Sequence, residues 1–353
     1  MEFASDNSSG AAPEIMAALG AVNTGYAPSY GADPVINRVR DLIRTTFEAP
    51  DAEVFLVNNG TTANSLSLAT YCPPWGAIYC HQAAHVEVDE CGAPEFFIGG
   101  GKMVKVPGSH GKMTPETLTR ALDSTPHGDV HSVQRGIVTL TNTTEAGTVY
   151  SVAELTALCD VAKAYALPVH LDGARFANAL VTTNATPAEM SWKAGVDILS
   201  FGGTKNGCMG VEAVVLFDPD KAWEFELRRK RGGHLFSKHR YLSAQMEAYL
   251  TDDLWLRLAR AANMQATRLE SVLLSVAGSS LMHPREANMV FAYLPRHVHR
   301  KTMAAGAHYY LWPFDQSLEG PDDVPVSARF VASWCTTEGD VDTFAAAVHG
   351  DDT

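Results

Sequence analysis

The sequence predicts an α/β protein in which a large, mostly parallel β-sheet is covered on both faces by helices and is followed by a smaller C-terminal α/β domain. Along residues 52–217, short apolar segments alternate with segments of helical spacing, which is the pattern of such sheets. The apolar segments are nearly continuous, as in strands that are buried on both faces. After about residue 220 the pattern changes to long helices and weaker strands. We therefore expect a larger domain over residues 1–245 and a smaller one over 246–353.

Seven strand candidates and several helices build the predicted larger domain. The first strand runs into a glycine-containing turn at 58–64, after which the apolar residues continue at helical spacing. A Thr-Pro-Glu start signal at 114–116 begins another helix, and Ser151 caps a third, with Glu154 at the capping-box position. The predicted strands, some with the loop that follows them, are 52–57, 76–81, 102–107, 135–143, 167–175, 196–206 and 212–217.

The C-terminal part begins with a strongly basic segment, 221–240, inside an acidic chain. A long helical pattern follows, which Asp252 and Asp253 interrupt. We expect this long helix to join the two domains. The predicted elements are the helix 241–276, the strands 288–294 and 327–334, and a last helix from Glu338.

The composition indicates an ordinary globular protein that acts on small molecules. With 46% hydrophobic and 19% charged residues, the chain resembles neither a disordered nor a membrane protein. Its net charge of −13 argues against nucleic acid and anionic membranes as partners. The first residues lack a signal-peptide pattern, and no apolar run approaches the ~20 residues of a membrane span, so we expect a cytoplasmic protein. The six cysteines form no CxxC pair, which predicts reduced thiols.

The turn at 58–64 is a candidate phosphate site. Gly60, Thr61 and Thr62 follow a strand and begin a helix. Free N–H groups, hydroxyls and the helix dipole favour an anion at such a position. A plain helix N-terminal cap is the alternative interpretation.

Two further segments carry ionisable side chains where predicted strands end. Asp172 and Arg175 lie three residues apart after a buried strand; Asp172 could pair with a protonated pyridine nitrogen or, alternatively, with Arg175. Lys205 follows an apolar strand and two glycines, where a partly desolvated amine could attack a carbonyl at neutral pH. A solvated lysine is the alternative. Because the phosphate turn, the Asp and the Lys occur in this order in one α/β chain, we favour the catalytic interpretation of Lys205.

Together these motifs resemble the threonine aldolase and β-eliminating lyase family of pyridoxal-phosphate enzymes over nearly the whole chain. The resemblance implies the aspartate-aminotransferase-like fold (PLP fold type I) and pyridoxal 5'-phosphate as the cofactor. Three further segments are similar to the low-specificity L-threonine aldolase and phenylserine aldolase branch. The matching segments are 4–6, 30–34, 60–64, 82–85, 170–175 and 204–205 for the family, and 73–76, 89–95 and 249–256 for the branch.

The resemblance implies a role for individual side chains. Lys205 would bind the cofactor covalently, Asp172 would pair with its pyridine nitrogen, and His85 would stack on its ring and face the β-substituent of the substrate. Arg175 would lie beside both cofactor and substrate. The residues implied at the phosphate are Gly60, Thr61 and Thr62, and those implied at the substrate are Ser5, Tyr30, Arg175 and Arg329.

The resemblance also implies a homodimer or homotetramer with its active site at a subunit interface. Tyr30 and one of the basic residues would then enter from the neighbouring subunit. A solvated helix face is the alternative for two of the three basic residues. Those three residues are Arg229, Lys230 and Arg231.

The implied reaction is retro-aldol cleavage of L-β-hydroxy-α-amino acids, such as L-threonine, L-allo-threonine and phenylserine, to glycine and an aldehyde. The general base is open: His85, alone or through water, is our choice, and His131 and Glu145 are the other candidates. Family members with a Glu-Asn-Thr-His-Asn-Gly segment supply a second histidine where this chain reads TNTTEAG at 141–147. β-Elimination, transamination and cofactor binding without turnover are the alternatives for the same site.

Six side chains of metal-ligand type are crowded into twelve residues. Their spacing matches no compact zinc pattern, so we expect no metal site. A loosely bound cation at a subunit interface is the alternative. The six residues are Cys80, His81, His85, Asp89, Glu90 and Cys91.

Overall fold

The computed structural model describes residues 1–350, and its larger part is a seven-stranded sheet in the order β1-β7-β6-β5-β4-β2-β3. Strand β7 is antiparallel to both of its neighbours, and the pairs from β6 to β3 are parallel. The predicted mostly parallel sheet is therefore confirmed. The strands are β1 Glu53–Val57, β2 Gly76–His81, β3 Lys102–Val106, β4 Gln134–Thr141, β5 Val169–Gly173, β6 Ile198–Gly202 and β7 Glu212–Leu216.

Both faces of this sheet are buried, as the nearly continuous apolar strands predict. Val54 and Leu56 of β1 pack in one hydrophobic cluster, whereas Phe55 and Val57, which point to the opposite face, pack in another. The helices of this part are α1 Pro13–Val22, α2 Pro34–Thr46, α3 Gly60–Tyr71, α4 His85–Val88, α5 Ala93–Ile98, α6 Pro115–Asp123, α7 Val152–Ala164, α8 Phe176–Thr183 and α9 Ala222–Arg231.

Local signals set the helix boundaries that the sequence predicts. The Ser151 hydroxyl accepts the Glu154 N–H while the Glu154 carboxylate accepts the Ser151 N–H, which is the predicted capping box at the start of α7. Helix α6 begins at Pro115 behind a similar box on Thr114. Helices α1 and α2, which both begin at a proline, were not predicted from the sequence.

Two long helices connect the large sheet to the C-terminal part. Helix α10 (Arg240–Leu250) and helix α11 (Leu254–Leu274) are separated at Asp252 and Asp253, whose φ angles of 51° and 54° are left-handed and cannot continue an α-helix. The predicted interruption is therefore confirmed.

The C-terminal part contains a four-stranded antiparallel sheet in the order β10-β11-β9-β8. Both predicted strands in this region are confirmed as β9 and β11, and the last helix begins at Glu338 as predicted. The elements are β8 Ser280–Leu281, β9 Met289–Pro295, α12 Arg296–Ala304, β10 Tyr310–Leu311, β11 Pro325–Val331 and α13 Glu338–His349.

The N-terminal segment packs against this C-terminal part. The N–H of Phe3 donates to the His308 carbonyl, and its own carbonyl accepts the Val331 N–H, both at 2.8 Å. The Phe3 ring is fully buried with residues of α11, β9, β11 and α13. Helix α11 itself contributes Ala259 to the core of the large sheet and Leu269 to this second core. The division into 1–245 and 246–353 stays a prediction.

The carboxyl ends of β1, β2, β4, β5 and β6 meet at one edge of the large sheet, because β1 is antiparallel to β7 and β7 is antiparallel to β6. This is the edge where parallel sheets place their functional sites. Among residues 1–350, no helix is long and apolar enough to span a membrane.

Candidate active site

A cavity of about 40 Å³ lies at this edge of the sheet. Loops that leave five different strands contribute to its wall. The lining residues are Gly60, Asn64, His85, Glu90, Thr141, Thr143, Glu145, Asp172, Ala174, Arg175 and Lys205. The fold thus brings Gly60, His85, Asp172, Arg175 and Lys205, all predicted site residues, into one cavity.

Lys205 lies in a short 3-10 turn that follows β6. A Cβ atom on Gly202 would stand 2.3 Å from the Ala174 carbonyl oxygen, so only glycine lets the end of β6 approach the loop after β5 this closely. Burial and the nearby charge of Arg175 lower the pKa of Lys205. A larger neutral fraction at physiological pH makes this amine a better nucleophile.

Glu212 fixes the loop that carries Lys205. It begins β7, and since β7 runs antiparallel, its first residue lies at the same edge of the sheet. Its Oε2 atom accepts the Gly203 N–H at 2.7 Å. Burial raises the pKa of Glu212 to about 7. On the far side of the turn, Asn206 donates to the Tyr249 hydroxyl at 2.7 Å and to the Trp255 carbonyl at 2.8 Å.

Asp172 lies at the end of β5 with its side chain buried at 3% exposure. Its Oδ1 atom accepts the Ala174 N–H at 3.0 Å, and its Oδ2 atom accepts the Asn64 amide at 2.9 Å. The same Asn64 nitrogen donates to Glu90 Oε1 at 2.9 Å. Asn64 lies one turn after Gly60 on α3, so the helix that begins at the predicted phosphate turn also bridges two buried carboxylates.

Arg175 pairs with Asp6, and not with Asp172 as the alternative from the sequence suggested. Arg175 Nε and Nη2 donate to the two carboxylate oxygens of Asp6 at 2.6 and 2.9 Å. Burial alone would raise the pKa of Asp6, but the charge and hydrogen bonds of Arg175, with the charge of Lys205, hold it below its ordinary value. This bidentate ion pair holds the Arg175 guanidinium in one orientation beside the cavity.

The N-terminal segment also holds Arg329. Nη2 of Arg329 donates to the Ala4 carbonyl at 3.2 Å, and its guanidinium lies 4.9 Å from the centre of the Trp312 ring. Ser5, the residue between Ala4 and Asp6, caps the short helix that positions Asp6. The predicted substrate-binding residues Ser5, Arg175 and Arg329 are therefore gathered around residues 4–6.

His85 begins helix α4 and is held at two points. Its Nδ1 atom lies 2.8 Å from Glu90 Oε1, and its backbone N–H donates to Glu145 Oε1 at 2.7 Å. The hydrogen bond from Glu90 raises the pKa of His85 against the effect of burial. Burial in turn raises the pKa of Glu90, whose side chain is fully enclosed.

The N-terminus of α3 offers free N–H groups at Gly60 and Thr61, which lie in the first helical turn. The third predicted residue differs, because the Thr62 N–H already donates to the Asn59 side chain at 2.8 Å. Its hydroxyl lies 3.2 Å from His234 Nδ1. Of the three residues predicted at the phosphate, Thr62 therefore has its N–H already engaged.

Tyr30 and the basic residues of α9 lie outside the cavity lining. The Lys230 ammonium lies 4.8 Å from the centre of the Tyr30 ring, which is half-exposed. Arg229 is buried and donates to the Leu56 carbonyl and to Glu226 within its own chain. Arg231 is exposed.

His131, another candidate for the general base, does not line the cavity in this chain. It lies in the exposed loop before β4, whereas the cavity is at the other end of that strand. Eight residues of β4 separate the two edges, which is roughly 26 Å at ~3.3 Å per residue.

The six side chains of metal-ligand type between Cys80 and Cys91 do not gather around one point. His85 and Glu90 contact each other, and burial raises the pKa of the Cys80 thiol to about 12. In the described part of the chain no group of three or more such side chains has a geometry that could hold a metal ion. All six cysteines are free.

Sequence reasoning gave no role to Asp6, Asn64, Glu90 or Glu212. Asp6 and Asn64 stand inside segments that carried the resemblance, but their partners are 169 and 108 residues away. Glu90 is five residues from His85, a spacing that indicates no contact in itself.

These side chains fit pyridoxal phosphate. An amine with a lowered pKa, a buried carboxylate from the neighbouring strand and a helix N-terminus line one cavity. They match the aldehyde, the pyridine nitrogen and the phosphate of the cofactor. Within residues 1–350, the Asp172 carboxylate has only neutral N–H donors as hydrogen-bond partners, which leaves its charge for the pyridinium.

Comparisons with known proteins agree with this geometry. Residues 2–296 match the family described as beta-eliminating lyase. The chain is 44% identical to the low specificity L-threonine aldolase of Pseudomonas aeruginosa over 95% of this chain and 93% of that protein. It is 41% identical to the enzyme of the same name from a Pseudomonas species, over 98% and 96%. A Leishmania major threonine aldolase structure superposes with a TM-score of 0.90 at 28% identity, covering 98% of each chain.

Proposed function

This chain belongs to the beta-eliminating lyase family, and from that premise we propose that it is a pyridoxal-phosphate-dependent lyase that cleaves L-threonine and related L-β-hydroxy-α-amino acids to glycine and an aldehyde. The predicted PLP fold type I is confirmed. One observation carries the proposal: Lys205, Asp172 and Arg175 line a single cavity with His85. The threonine aldolases among the relatives support the substrate class.

Lys205 and Asp172 serve the cofactor. Bound covalently at Lys205, pyridoxal phosphate supplies an electron sink for the electron pair that is released at Cα of the substrate. Asp172 keeps the pyridine nitrogen protonated, since a buried carboxylate favours a cation beside it. Lys205 would hold the cofactor through its side-chain amine, and the lowered pKa of this amine favours the neutral form that reacts with a carbonyl.

Arg175 and Arg329 bind the substrate carboxylate. Asp6 accepts one hydrogen from Nε and one from Nη2 of Arg175, so the second hydrogen of Nη2 and both hydrogens of Nη1 remain for the substrate. A carboxylate held between two guanidinium groups fixes the rotation about Cα. The Cα–Cβ bond then keeps one orientation toward the ring.

His85 takes the proton of the β-hydroxyl. Because its Nδ1 atom faces the buried Glu90 carboxyl at 2.8 Å, we assign the ring hydrogen to Nδ1, which leaves the Nε2 lone pair for the substrate. The His85 side chain is 32% exposed, and this opening gives room for the β-substituent.

We extend the proposal to L-allo-threonine and phenylserine as substrates and to a cytoplasmic homodimer or homotetramer. The words "low specificity" in the names of the two Pseudomonas relatives support a broad range of β-substituents. Large exposed apolar side chains, Phe96 at 79%, Trp223 at 71% and Trp75 at 64%, support self-association. Sedimentation or size-exclusion measurement of the purified protein tests the oligomeric state.

The decisive experiment compares wild type with Lys205→Ala in an absorbance spectrum, and then adds L-threonine or phenylserine. We expect wild type to have a cofactor absorbance band near the edge of the visible range, and the variant to lack this band. Only wild type should release acetaldehyde from L-threonine or benzaldehyde from phenylserine. Ammonia and a keto acid instead of glycine and an aldehyde would assign β-elimination. The absence of any lysine-dependent band would refute the cofactor assignment.

A further inference from the structure

The Glu145 carboxyl has a position that the proposed roles leave unused. It lines the cavity together with Lys205 and Asp172. One oxygen, Oε1, accepts the backbone N–H of His85 at 2.7 Å. The other, Oε2, is buried and has no hydrogen-bond partner within residues 1–350. A buried carboxyl oxygen without a partner is unfavourable in a folded protein, and it points to a ligand or proton-transfer role.

The neighbours of Glu145 place it along the substrate. Among the described residues that influence or contact it are Asp172 from the end of β5, His85 from α4 and Arg175 from the loop before α8. The α-carbon of an amino acid lies between its carboxylate and its β-carbon. Since Arg175 would hold the carboxylate and His85 would face the β-carbon, we infer that Glu145, which lies near both residues, is within reach of Cα.

The electrostatic surroundings favour a proton on this carboxyl at neutral pH. Burial raises the pKa of Glu145 to about 7, and the negative charge of Asp172 adds to the effect. Hydrogen bonds from the backbone of His85 and Glu145 and the charge of His85 act in the opposite direction. The site therefore has an acid that is poised near physiological pH.

We propose that Glu145 is a catalytic acid of this enzyme and delivers a proton to Cα of the product glycine. The inference rests on the proposed function. Two side chains would then share the two proton transfers: His85 takes the proton of the β-hydroxyl, and Glu145 gives a proton to Cα.

The proton balance closes without an outside reagent. His85 takes the β-hydroxyl proton, the Cα–Cβ bond breaks, the C–O bond becomes the aldehyde carbonyl, and the electron pair stays with Cα. Glu145 gives its proton to Cα and becomes a carboxylate. Transfer of the proton from His85 to Glu145 through water restores both groups, and no atom is oxidised or reduced overall.

The first test measures the carboxyl itself. Infrared difference spectra of the holoenzyme between pH 6 and pH 8 should contain the C=O band of a buried protonated carboxyl that titrates near pH 7 and is missing in Glu145→Gln. Glu212 has a similar pKa, so Glu212→Gln identifies the second band. The glutamine retains an acceptor for the His85 N–H. A wild-type spectrum without a Glu145-dependent band would overturn the proposal.

The second test measures proton transfer at Cα alone. Enzyme-catalysed exchange of the glycine α-hydrogen in D₂O, followed by proton NMR, requires no aldehyde chemistry. We expect Glu145→Gln to lower this exchange on the order of 100-fold, Glu145→Asp to recover part of it, and Glu319→Gln, on the exposed 312–324 loop, to match wild type. The cofactor band of each variant shows whether it still folds and binds.

The outcomes separate the inference from the proposed function. Aldehyde release by wild type with unchanged glycine exchange in Glu145→Gln would leave the aldolase function standing and overturn the role of Glu145. Glutamate-dependent glycine exchange without aldehyde release from L-threonine would support Glu145 and refute the retro-aldol reaction.

Discussion

Arg175 and Asp6 form a buried bidentate ion pair across 169 residues of chain, with nitrogen–oxygen distances of 2.6 and 2.9 Å. Through this pair the N-terminal segment, which packs on the C-terminal part, reaches the loop that follows β5. The guanidinium that we propose binds the substrate carboxylate is thus oriented by Asp6.

Replacement of Asp6 should test this relationship. In Asp6→Asn the buried Arg175 charge loses its partner, and we expect the free energy of unfolding to fall by about 3 kcal/mol. The KM for L-threonine should rise more than kcat falls, because the variant leaves Arg175, which we propose binds the substrate carboxylate, less firmly oriented. Chemical denaturation and steady-state kinetics measure both. Asp41→Asn, an exposed carboxylate on α2, should change stability by less than about 0.5 kcal/mol; equal effects in both variants would contradict the prediction.

Glu90 should set the protonation of His85. Because the Glu90 hydrogen bond raises the pKa of His85, Glu90→Gln should move the rising limb of the kcat profile to lower pH. It should also reduce kcat by on the order of tenfold, since the ring loses the partner that fixes its tautomer. Glu87→Gln is the matched control. Glu87 lies on α4 with His85, but it pairs with Lys105. A pH profile that does not move in Glu90→Gln would refute this coupling.

His170 should make the protein less stable in mild acid. It is buried in β5 between Thr139 and Ser200, at 2.8 and 2.9 Å, and burial lowers its pKa to about 4. Between pH 6.5 and pH 4 the unfolded chain therefore binds more protons than the folded one, so stability is complete above pH 6.5 and falls as the pH falls. The loss should reach about 3 kcal/mol. Unfolding of His170→Gln across this range should lack this component; an identical pH dependence would show that His170 does not titrate.

Gly202 should tolerate no side chain. The Cβ of Gly202→Ala would stand 2.3 Å from the Ala174 carbonyl oxygen, so we expect a loss of about 1–3 kcal/mol in stability from overpacking. The cofactor band should weaken because the Lys205 loop shifts. Gly20→Ala is the control: this position lies in α1 with open space around it, and alanine favours a helix. Thermal unfolding and the absorbance spectrum compare the two variants.

Local sequence signals predicted most of the fold. The apolar strands, the capping box of Ser151 and Glu154, and the interruption at Asp252 are properties of a few consecutive residues. They act through hydrogen bonds and backbone sterics within one or two turns. Helices α1 and α2 were not predicted. The direction of β7 was also left open, because an apolar run such as 212–216 reads the same in a parallel and an antiparallel strand.

In the candidate site, too, the features that depend on nearby residues were predictable, and the contacts between distant residues were not. Lys205, Asp172 and Gly60 were predictable, because each follows a strand whose end must lie at one edge of the sheet. The Asp6–Arg175 pair, the Asn64 bridge between Asp172 and Glu90, and the contact of Glu145 with His85 were not.

The sequence by itself determined the order of strands and helices along the chain, the glycine turns, and the ionisable residues that follow the strands. Only the tertiary structure decided which of those residues face one another. Contacts such as Asn64–Glu90 and Asp6–Arg175 join positions 26 and 169 residues apart and depend on how the sheet, α3 and the N-terminal segment pack. The fall in polarity inside that packed cavity then shifts the pKa values of Lys205 and Glu145, and no spacing of residues along a chain records the burial that causes it.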